Sequence, residues 1–512
     1  MRWFRIFVGV LLFLVFVSYS YSENLGVYEN LKPGKYPVGF QLLEKTDFSR
    51  VYPTGASGEL SPRKIRVYLW YPAKSASKQP LMVRDYVDMA AADFYSPMRE
   101  RMNDSSLLPT QLKKGLSKEL LDKILKKNTI AGKDSAAAKG PFPLLVLGQG
   151  LYYESPLTHF VLCEYLASHG YVVGTCPLVG TQYRLVNISA RDIETHIRDL
   201  EFVLGQARQL PFVDLDKIGA VGYDLGGMAA ILLVMRHPVV KVFLSLDSGI
   251  NYEHFSHLPK NHPSYREKAF TVPWMHMIQA RFMDYFRSQK NQSSLFERRT
   301  YGPGYLVEVP SSSHACVTSY AALGLENPVA GYWGPIEKNL RELHVEVCGL
   351  ALLFLDAHLK GDGDSLAMLS RRVKTEKEAL LKMEFKGGKE PPPATDVSIH
   401  GIIDLGMDKA RPVIDGLMGR FPSADLFEEE ELNWLGYHFL FWWDRPQEAL
   451  AVFKLNTELF PESANAFDSL GEAYLIIGEK EKAIESYRKS LKLNPENKNA
   501  AVVLKRLTES KE

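Results

Sequence analysis

Short apolar runs alternate with longer amphipathic stretches between residues 36 and 362 of the chain. A short apolar run bounded by turn residues is typical of a buried strand, whereas apolar residues spaced three or four positions apart indicate a helix. When such strands and helices alternate, the strands form a mostly parallel sheet that the helices cover. The pattern therefore predicts an α/β domain in this part of the chain.

The predicted strands of this domain lie at residues 65–70, 144–147, 171–176, 217–221, 240–246, 273–278 and 305–309. The first of them alternates apolar and polar residues, which indicates an early strand of the antiparallel type. Helices are predicted at residues 157–168, 192–209, 225–235 and 339–359. Residues 84–140 interrupt the alternation with polar, helical sequence. This insertion is a lid in one interpretation and a solvated pair of surface helices in the other.

The sequence changes character after residue 362. Residues 363–395 are charged and end in a run of prolines, which is typical of a stiff linker. Beyond the linker, a set of positions recurs about 34 residues later. The first set is Leu435, Gly436, Ala449, Phe453 and Pro461, and the second is Leu470, Gly471, Ala483, Tyr487 and Pro495. The period and the order of residues resemble the tetratricopeptide repeat, so we predict an all-α repeat domain over 396–512.

The repeat domain is expected to be small. Each repeat buries its apolar face only against a neighbour, and two repeats provide few neighbours. We therefore expect this domain to pack on its flanking helices or on the first domain. The resemblance implies that it either binds a protein partner or braces the first domain.

Composition and charge are those of an ordinary globular protein. The chain has 512 residues, of which 46% are hydrophobic and 24% are charged, as in a globular protein with a large core. Its formal net charge of +1 gives no indication of a nucleic-acid partner. The cysteines fit no zinc-binding spacing, and we expect neither a metal ion nor a cofactor. Disulfides and buried free thiols remain alternatives for Cys163, Cys176, Cys316 and Cys348, and we favour the thiols.

The N-terminus has the layout of a secretory signal peptide. Basic residues precede an apolar run at 6–17, and small residues at Ser20 and Ser22 favour cleavage before Glu23. An uncleaved anchor is the alternative, although the run is short for a membrane span. We expect residues 1–22 to be removed and the mature protein, which has no predicted membrane span, to be secreted or periplasmic.

One short motif carries the candidate chemistry. Residues 222–226 read Gly-Tyr-Asp-Leu-Gly and follow an apolar strand. This frame resembles the nucleophile elbow of the α/β-hydrolase fold, G-x-S-x-G, in which a sharp turn holds the nucleophile above the sheet. Asp224 takes the position of the serine. The motif predicts that fold for the first domain, residues 23–362, and leaves the identity of the nucleophile open.

Two further residues follow in the order that such a site requires, which is nucleophile, acid and histidine. Asp247 comes at the end of the next predicted strand, and His314 comes in the loop after the last one. An aspartate in this position fixes the tautomer of the histidine, and the histidine then transfers the proton. We therefore predict Asp224, Asp247 and His314 as the catalytic residues.

These motifs together resemble platelet-activating-factor acetylhydrolases and their bacterial relatives, described as dienelactone-hydrolase-like or lipase-like proteins. The segments 147–151, 165–171 and 354–362 are also similar to that group. The resemblance implies a carboxylic ester hydrolase that acts on small esters or lipid-like acyl groups. It also implies an oxyanion hole formed by the backbone N–H groups of Leu151 and Leu225. The group commonly has histidine where this chain has Gln149.

Asp224 departs from the pattern of that group, in which a serine forms an acyl-enzyme. A carboxylate that attacks an ester carbonyl forms an anhydride, which is a poor intermediate. Attack on a saturated carbon instead gives an enzyme ester that water can hydrolyse. Haloalkane dehalogenases and epoxide hydrolases use aspartate in this way, but their usual tryptophan after it is Leu225 here. A third interpretation is a catalytically silent domain, in which Asp224 holds His314 as a cation and the protein acts through its repeats.

Other candidate residues have a structural interpretation. His254, His257 and His262 cluster after Asp247, but their spacing fits no standard set of metal ligands, so we favour a polar loop over a metal site or pocket rim. His276 lies on an apolar strand, and we interpret it as a core residue. Cys316 lies close to His314 in sequence but has no elbow, so we interpret it as a packing residue.

Overall fold

The computed structural model describes residues 26–54, 59–93, 117–150, 158–181, 186, 189–251, 260–262, 264–280, 294–311, 314–324, 339–374, 380–389, 402, 406–418, 426–442 and 445–509. The predicted signal peptide lies outside the described residues. Among the residues that are described, no helix combines the length and the apolarity that a bilayer crossing requires.

Strands in the described part of the first domain form one sheet with the order β10-β9-β8-β7-β6-β4-β5-β2-β1-β3. The strands from β4 to β9 run parallel to one another. β2 pairs antiparallel with both β5 and β1, and β10 pairs antiparallel with β9. The strands are β1 (Val38–Thr54), β2 (Glu59–Pro72), β3 (Ala131–Lys133), β4 (Phe142–Gly148), β5 (Val172–Thr175), β6 (Val213–Tyr223), β7 (Val240–Leu246), β8 (Trp274–Gln279), β9 (Gly304–Val309) and β10 (Lys382–Lys386).

Helices cover both faces of this sheet. They are α1 (Val83–Asp93), α2 (Lys118–Leu125), α3 (Phe160–Ser168), α4 (Ala190–Ala207), α5 (Leu225–Arg236), α6 (Leu295–Arg298), α7 (Ser319–Ala322), α8 (Leu340–Leu355) and α9 (Gly363–Lys374). Successive residues of a strand point to opposite faces, and β4 shows the result. Leu145 and Leu147 belong to one hydrophobic cluster, and Leu144 and Val146 belong to the other. The mostly parallel sheet between two helical layers confirms the predicted α/β-hydrolase fold.

The predicted strands agree with the observed ones, and the predicted strand 240–246 coincides with β7. Part of the predicted linker 363–395, however, belongs to the first domain. Residues Gly363–Lys374 form α9, and Lys382–Lys386 form β10, which pairs antiparallel with β9 at the edge of the sheet. This edge strand carries Lys382 and Lys386, and lysine is common on edge strands because it opposes pairing with another chain.

The predicted insertion 84–140 is described only in part, because residues 94–116 lie outside the described residues. Its first helix, α1, is anchored in the core by Tyr86, whose hydroxyl accepts a hydrogen bond from Trp70 Nε1 at 2.8 Å. The same hydroxyl donates to the buried carboxylate of Glu164 at 2.5 Å. Burial raises the pKa of Glu164. These contacts attach α1 to the domain, and whether the insertion acts as a lid remains a prediction.

The second domain consists of antiparallel helix pairs, as the repeat predicts. Its helices are α10 (Met407–Met418), α11 (Glu429–Tyr437), α12 (Pro446–Leu459), α13 (Ala464–Ile476), α14 (Lys480–Leu493) and α15 (Lys498–Glu509). The glycine of each repeat is needed where two helices meet. A Cβ on Gly436 would lie 2.5 Å from the ring of Phe453, and one on Gly471 would lie 3.0 Å from the ring of Tyr487. In each repeat, the recurring glycine thus packs directly against the recurring aromatic ring.

The two domains touch through an ion pair. Arg266, in the first domain, pairs with Glu431 at the start of α11. Arg266 also donates to the carbonyl oxygen of Met235 at 2.9 Å. The contact agrees with the expectation that the repeat domain packs on a neighbour.

Candidate active site

The elbow motif forms the predicted strand–turn–helix unit. β6 ends at Tyr223, α5 begins at Leu225, and Asp224 joins them with φ 48° and ψ −120°. A positive φ is strained for a residue with a side chain, and strain of this kind concentrates at functional sites. Asp224 is half-buried. The chain therefore holds an aspartate in the backbone conformation that an elbow imposes on its nucleophile.

The glycines of the motif are required by close backbone contacts. A Cβ on Gly222 would lie 2.5 Å from the Cα of Gly227. A Cβ on Gly226 would lie 2.3 Å from the carbonyl group of Gly148. A Cβ on Gly150 would lie 3.0 Å from the Cβ of Asp224. The loop after β4 therefore packs directly against the elbow.

Hydrogen bonds fix the elbow to the end of β7. The amide of Asp224 donates to the carbonyl oxygen of Leu246 at 3.2 Å. The carbonyl oxygen of Asp224 accepts from Ser248 Oγ at 2.8 Å and from the amide of Gly227 at 3.1 Å. The residues on either side of Asp247 are thus bonded to Asp224, which places the predicted acid beside the predicted nucleophile along the sheet edge.

Asp247 and His314 form a close pair. Oδ2 of Asp247 lies 2.6 Å from Nδ1 of His314. The Asp247 side chain is fully buried, whereas 20% of the His314 side chain is exposed. A carboxylate this close to Nδ1 favours the tautomer with its hydrogen on Nδ1, which leaves Nε2 as the atom that can take up a proton from a reacting group. The two side chains thus lie at the separation expected of a general base and its orienting acid.

The Asp247 carboxylate has a second partner, Gln279, at the end of β8. The backbone amide of Gln279 donates to Oδ1 at 3.1 Å, and its side-chain Nε2 donates to Oδ2 at 2.8 Å. Asp247 itself has φ 45°, and its amide donates to the carbonyl oxygen of Met277 at 2.7 Å. No local motif in the sequence signals Gln279, because its position beside Asp247 depends on the pairing of β7 with β8.

The rings of Tyr223 and His314 meet edge to face, with centroids 6.1 Å apart. Tyr223 directly precedes Asp224, so this contact brings the elbow and the loop after β9 together. On its other side, Tyr223 contacts His159 with centroids 4.7 Å apart. Burial lowers the pKa of His159 to about 3, so this histidine is neutral at ordinary pH.

One half of the predicted oxyanion hole is described. Leu225 is the first residue of α5, and the first N–H groups of a helix have no acceptor within the helix. These groups and the helix dipole favour negative charge at this end. Leu151, the other predicted donor, lies outside the described residues. Its role remains a prediction.

The loop that leads to Leu151 is held by a buried polar chain. Gln149, which replaces the histidine of the resembled group, accepts from His159 Nδ1 at 3.2 Å and donates to Thr175 Oγ1 at 3.1 Å. Thr175 Oγ1 in turn donates to the carbonyl oxygen of Leu147 at 2.6 Å. The glutamine thus acts here as a fixed link between the loop and the sheet.

The other candidate histidines have structural partners or are not described. His262 accepts at Nδ1 from the amide of Ser264 at 3.1 Å and lies 3.1 Å from Glu194 through Nε2, within an ionic cluster away from the elbow. His276 is a core residue, as predicted, and bonds Ser245 Oγ at 2.7 Å. His254 and His257 lie outside the described residues. Among the described residues, no cluster of histidine, cysteine or acidic side chains has the arrangement of a metal site.

All four cysteines are buried thiols that form no disulfide, which confirms the favoured interpretation. Burial raises the pKa of Cys163 and Cys348. A buried thiol with a raised pKa is not an activated nucleophile. Cys316 is fully buried, in agreement with a packing role.

Comparison with known proteins gives one family match and one similar solved structure. The family model "Tetratricopeptide repeat" matches residues 464–497, which is the second repeat of the second domain. Among solved structures, the chain is similar to a ferulic acid esterase from Streptomyces cinnamoneus. The two chains share 20% identity with a TM-score of 0.45, over 65% of this chain and 93% of the esterase. None of the curated proteins compared with this chain matches it.

Proposed function

We propose that this chain is an exported hydrolase of small ester or lipid-like acyl substrates, with Asp224, Asp247 and His314 as its catalytic residues. One observation carries the proposal. An aspartate in the strained elbow conformation adjoins an Asp247–His314 pair whose Oδ2–Nδ1 distance is 2.6 Å. An ion pair between Asp224 and His314 does not require a strained backbone. A nucleophile does require it, because the elbow holds the attacking side chain above the sheet.

In the first step, a carboxylate oxygen of Asp224 adds to the carbonyl carbon of the ester. The charge that develops on the carbonyl oxygen is stabilised by the backbone N–H of Leu225 and, in this proposal, that of Leu151. The bond to the leaving oxygen then breaks, and protonated His314 donates its Nε2 proton to that oxygen. The products of this step are a free alcohol and a mixed anhydride on Asp224.

In the second step, water hydrolyses the anhydride. His314 takes a proton from the water through Nε2, while Asp247 stabilises the imidazolium that results. The hydroxide attacks the side-chain carbonyl carbon of Asp224, and the carboxylate product leaves. Asp224 then loses a proton to solvent, so that one ester and one water yield one alcohol, one carboxylate and one proton.

A second candidate function rests on the nature of Asp224 itself. A carboxylate that displaces a leaving group from a saturated carbon forms an ordinary ester, which is a more stable intermediate than an anhydride. Epoxides and haloalkanes are substrates of this type. The same Asp247–His314 pair would activate the water that hydrolyses the enzyme ester.

The proposal is tested with short-chain nitrophenyl esters and the variant His314→Gln. We expect hydrolysis by the wild-type protein and a loss of kcat/KM of at least about 100-fold in the variant, as for removal of a general base. His438→Gln, in the repeat domain, is the matched control and retains the wild-type rate. No hydrolysis by the wild-type protein, or equal rates for wild type and His314→Gln, contradicts the proposal.

Export and the role of the repeats are also proposals. The layout of residues 1–22 supports cleavage before Glu23, and the match to the repeat family supports a protein partner for the second domain. N-terminal sequencing of the protein from its native host tests the first point. A mature chain that begins at Glu23 supports export, and a chain that retains Met1 contradicts it.

A further inference from the structure

We propose that Gln279 is a positioning residue that holds the Asp247 carboxylate in the orientation from which it binds His314. The catalytic consequence rests on the proposed function, whereas the effect on His314 can be measured without any substrate. Gln279 donates to both oxygens of Asp247, through its backbone amide to Oδ1 and through Nε2 to Oδ2. Two donors from one residue fix the plane of the carboxylate, as a single hydrogen bond does not.

The arrangement is protected from water. Gln279 is 2% exposed and Asp247 is 3% exposed, so a carboxylate oxygen that loses its donor has little access to solvent as a replacement. Leaving a buried charged group without its hydrogen bond is costly. The side-chain bond of Gln279 is therefore expected to matter more here than it would on an exposed surface.

Oδ2 of Asp247 lies close to two nitrogen atoms. It receives Nε2 of Gln279 at 2.8 Å and lies 2.6 Å from Nδ1 of His314. The side-chain amide of Gln279 therefore competes with protonated His314 for the same carboxylate oxygen. Removing the amide makes Oδ2 a stronger acceptor for the imidazolium, while it frees the carboxylate to rotate.

Gln279 is a neutral donor among charged and titratable neighbours. Tyr223, at the end of β6, packs its ring against His314, and His276, on β8, interacts electrostatically with Asp247. Burial lowers the pKa of His276 to about 3, so it brings no positive charge to Asp247. A neutral amide can orient the carboxylate without cancelling the negative charge that His314 requires.

The test is the titration of His314 by nuclear magnetic resonance in protein labelled at histidine nitrogens. His314→Gln identifies the signal by its disappearance. In Gln279→Met, which has a similar volume and no donor, we expect the pKa of His314 to rise by about 0.5 to 1 unit. Gln209→Met, at an exposed position away from the site, is the matched control and leaves the titration unchanged.

A second variant guards against simple loss of folding. In Gln279→Glu, the new carboxyl group can donate to Oδ2 of Asp247 when protonated but repels it when ionised. We therefore expect ester hydrolysis near the wild-type rate at low pH and a loss of about 10- to 100-fold in kcat as the pH rises. KM changes little, because Gln279 does not touch the substrate. A residue that only supports the fold would lower the melting temperature without this dependence on pH.

The outcomes separate the two proposals. An unchanged titration of His314 in Gln279→Met overturns the role of Gln279, whatever the activity of the protein. A wild-type pH profile in Gln279→Glu overturns it as well. A shifted titration in a protein that hydrolyses no ester supports the role of Gln279 and contradicts the proposed function.

Discussion

The amide of Asp224 donates a hydrogen bond to the carbonyl oxygen of Leu246 at 3.2 Å, so the elbow is bonded to the residue that precedes Asp247. The carbonyl oxygen of Asp224 is held in turn by Ser248, the residue that follows Asp247. Nucleophile position and acid are thus parts of one rigid backbone unit. In the proposed function, Asp224 occupies within this unit the position that the elbow motif gives to a serine nucleophile.

This framework predicts the effect of Asp224→Ser. A serine in the strained elbow would be activated by His314 and Asp247, so we expect the variant to react covalently with a fluorophosphonate probe. We also expect its rate of ester hydrolysis to rise at least about tenfold above wild type, because an acyl-serine is a better intermediate than an anhydride.

Labelling is measured by mass spectrometry of the peptide that contains residue 224. The wild-type protein should remain unlabelled, and so should Asp216→Ser, which places a serine at an exposed position of β6. If Asp224→Ser stays unlabelled while it folds normally, the Asp247–His314 pair does not function as a base toward this position.

The contact between Gly226 and the loop after β4 predicts that Gly226→Ala, which adds one methyl group, destabilises the protein. In Gly226→Ala the new Cβ would lie 2.3 Å from the carbonyl group of Gly148 and 2.4 Å from the carbonyl oxygen of Gln149. Both contacts are with backbone, so the elbow and the loop must move apart, at a cost of about 1–3 kcal/mol or more. The melting temperature should fall by several degrees, and hydrolysis should be lost with it.

Gly349, inside α8, is the matched position, because nothing lies within 4 Å of a Cβ added there. Gly349→Ala should raise the stability by about 0.5–1 kcal/mol through helix propensity. Equal melting temperatures for the two variants would contradict the proposed backbone contact.

Four buried histidines predict how stability depends on pH. Burial lowers the pKa of His159 and His276 to about 3 and of His196 and His344 to about 4, from 6.5 in each case. Each histidine is therefore neutral in the folded protein and takes up a proton on unfolding once the pH falls below 6.5. Stability is full above pH 6.5 and is lost as the pH falls towards 4. The loss is about 1.4 kcal/mol per pH unit for each histidine that is protonated only in the unfolded state.

Urea unfolding at several pH values between 7.5 and 4.5 measures this slope. His159→Gln should reduce it by the contribution of one proton, whereas His438→Gln in the repeat domain should leave it unchanged. A free energy of unfolding that is constant from pH 7.5 to 5 would show that these histidines are protonated in the folded state.

The sequence predicts those site residues that belong to short motifs or follow a strand. Asp224 lies in a five-residue frame, Asp247 directly follows an apolar strand, and His314 lies in the loop after another, so their order along the chain is enough to predict them as a set. Gln279 and Gln149 act through contacts between strands that are distant in sequence, and no motif signals them. For the same reason the sequence predicts the apolar central strands of the sheet better than its edges.

The outer strands of the sheet show the reason. β1, which pairs with the short edge strand β3 only over Val38–Phe40, carries charged residues along its 17-residue length, and the edge strand β10 reads Lys-Met-Glu-Phe-Lys. Such outer strands are partly solvated, so they lack the continuous apolar run that marks a buried strand. The sequence therefore predicts no strand at β1, and the charged residues around β10 resemble a linker.

The most direct test of the account is a single turnover in heavy-oxygen water. Wild-type protein in excess over a short-chain ester is quenched, and mass spectrometry measures the mass of the peptide that contains Asp224. The account predicts one heavy oxygen in the Asp224 carboxylate, because water attacks the carbonyl carbon of that side chain in the second step. Alcohol and acid released with an unlabelled Asp224 would contradict the account, since water or another residue would then be the attacking group.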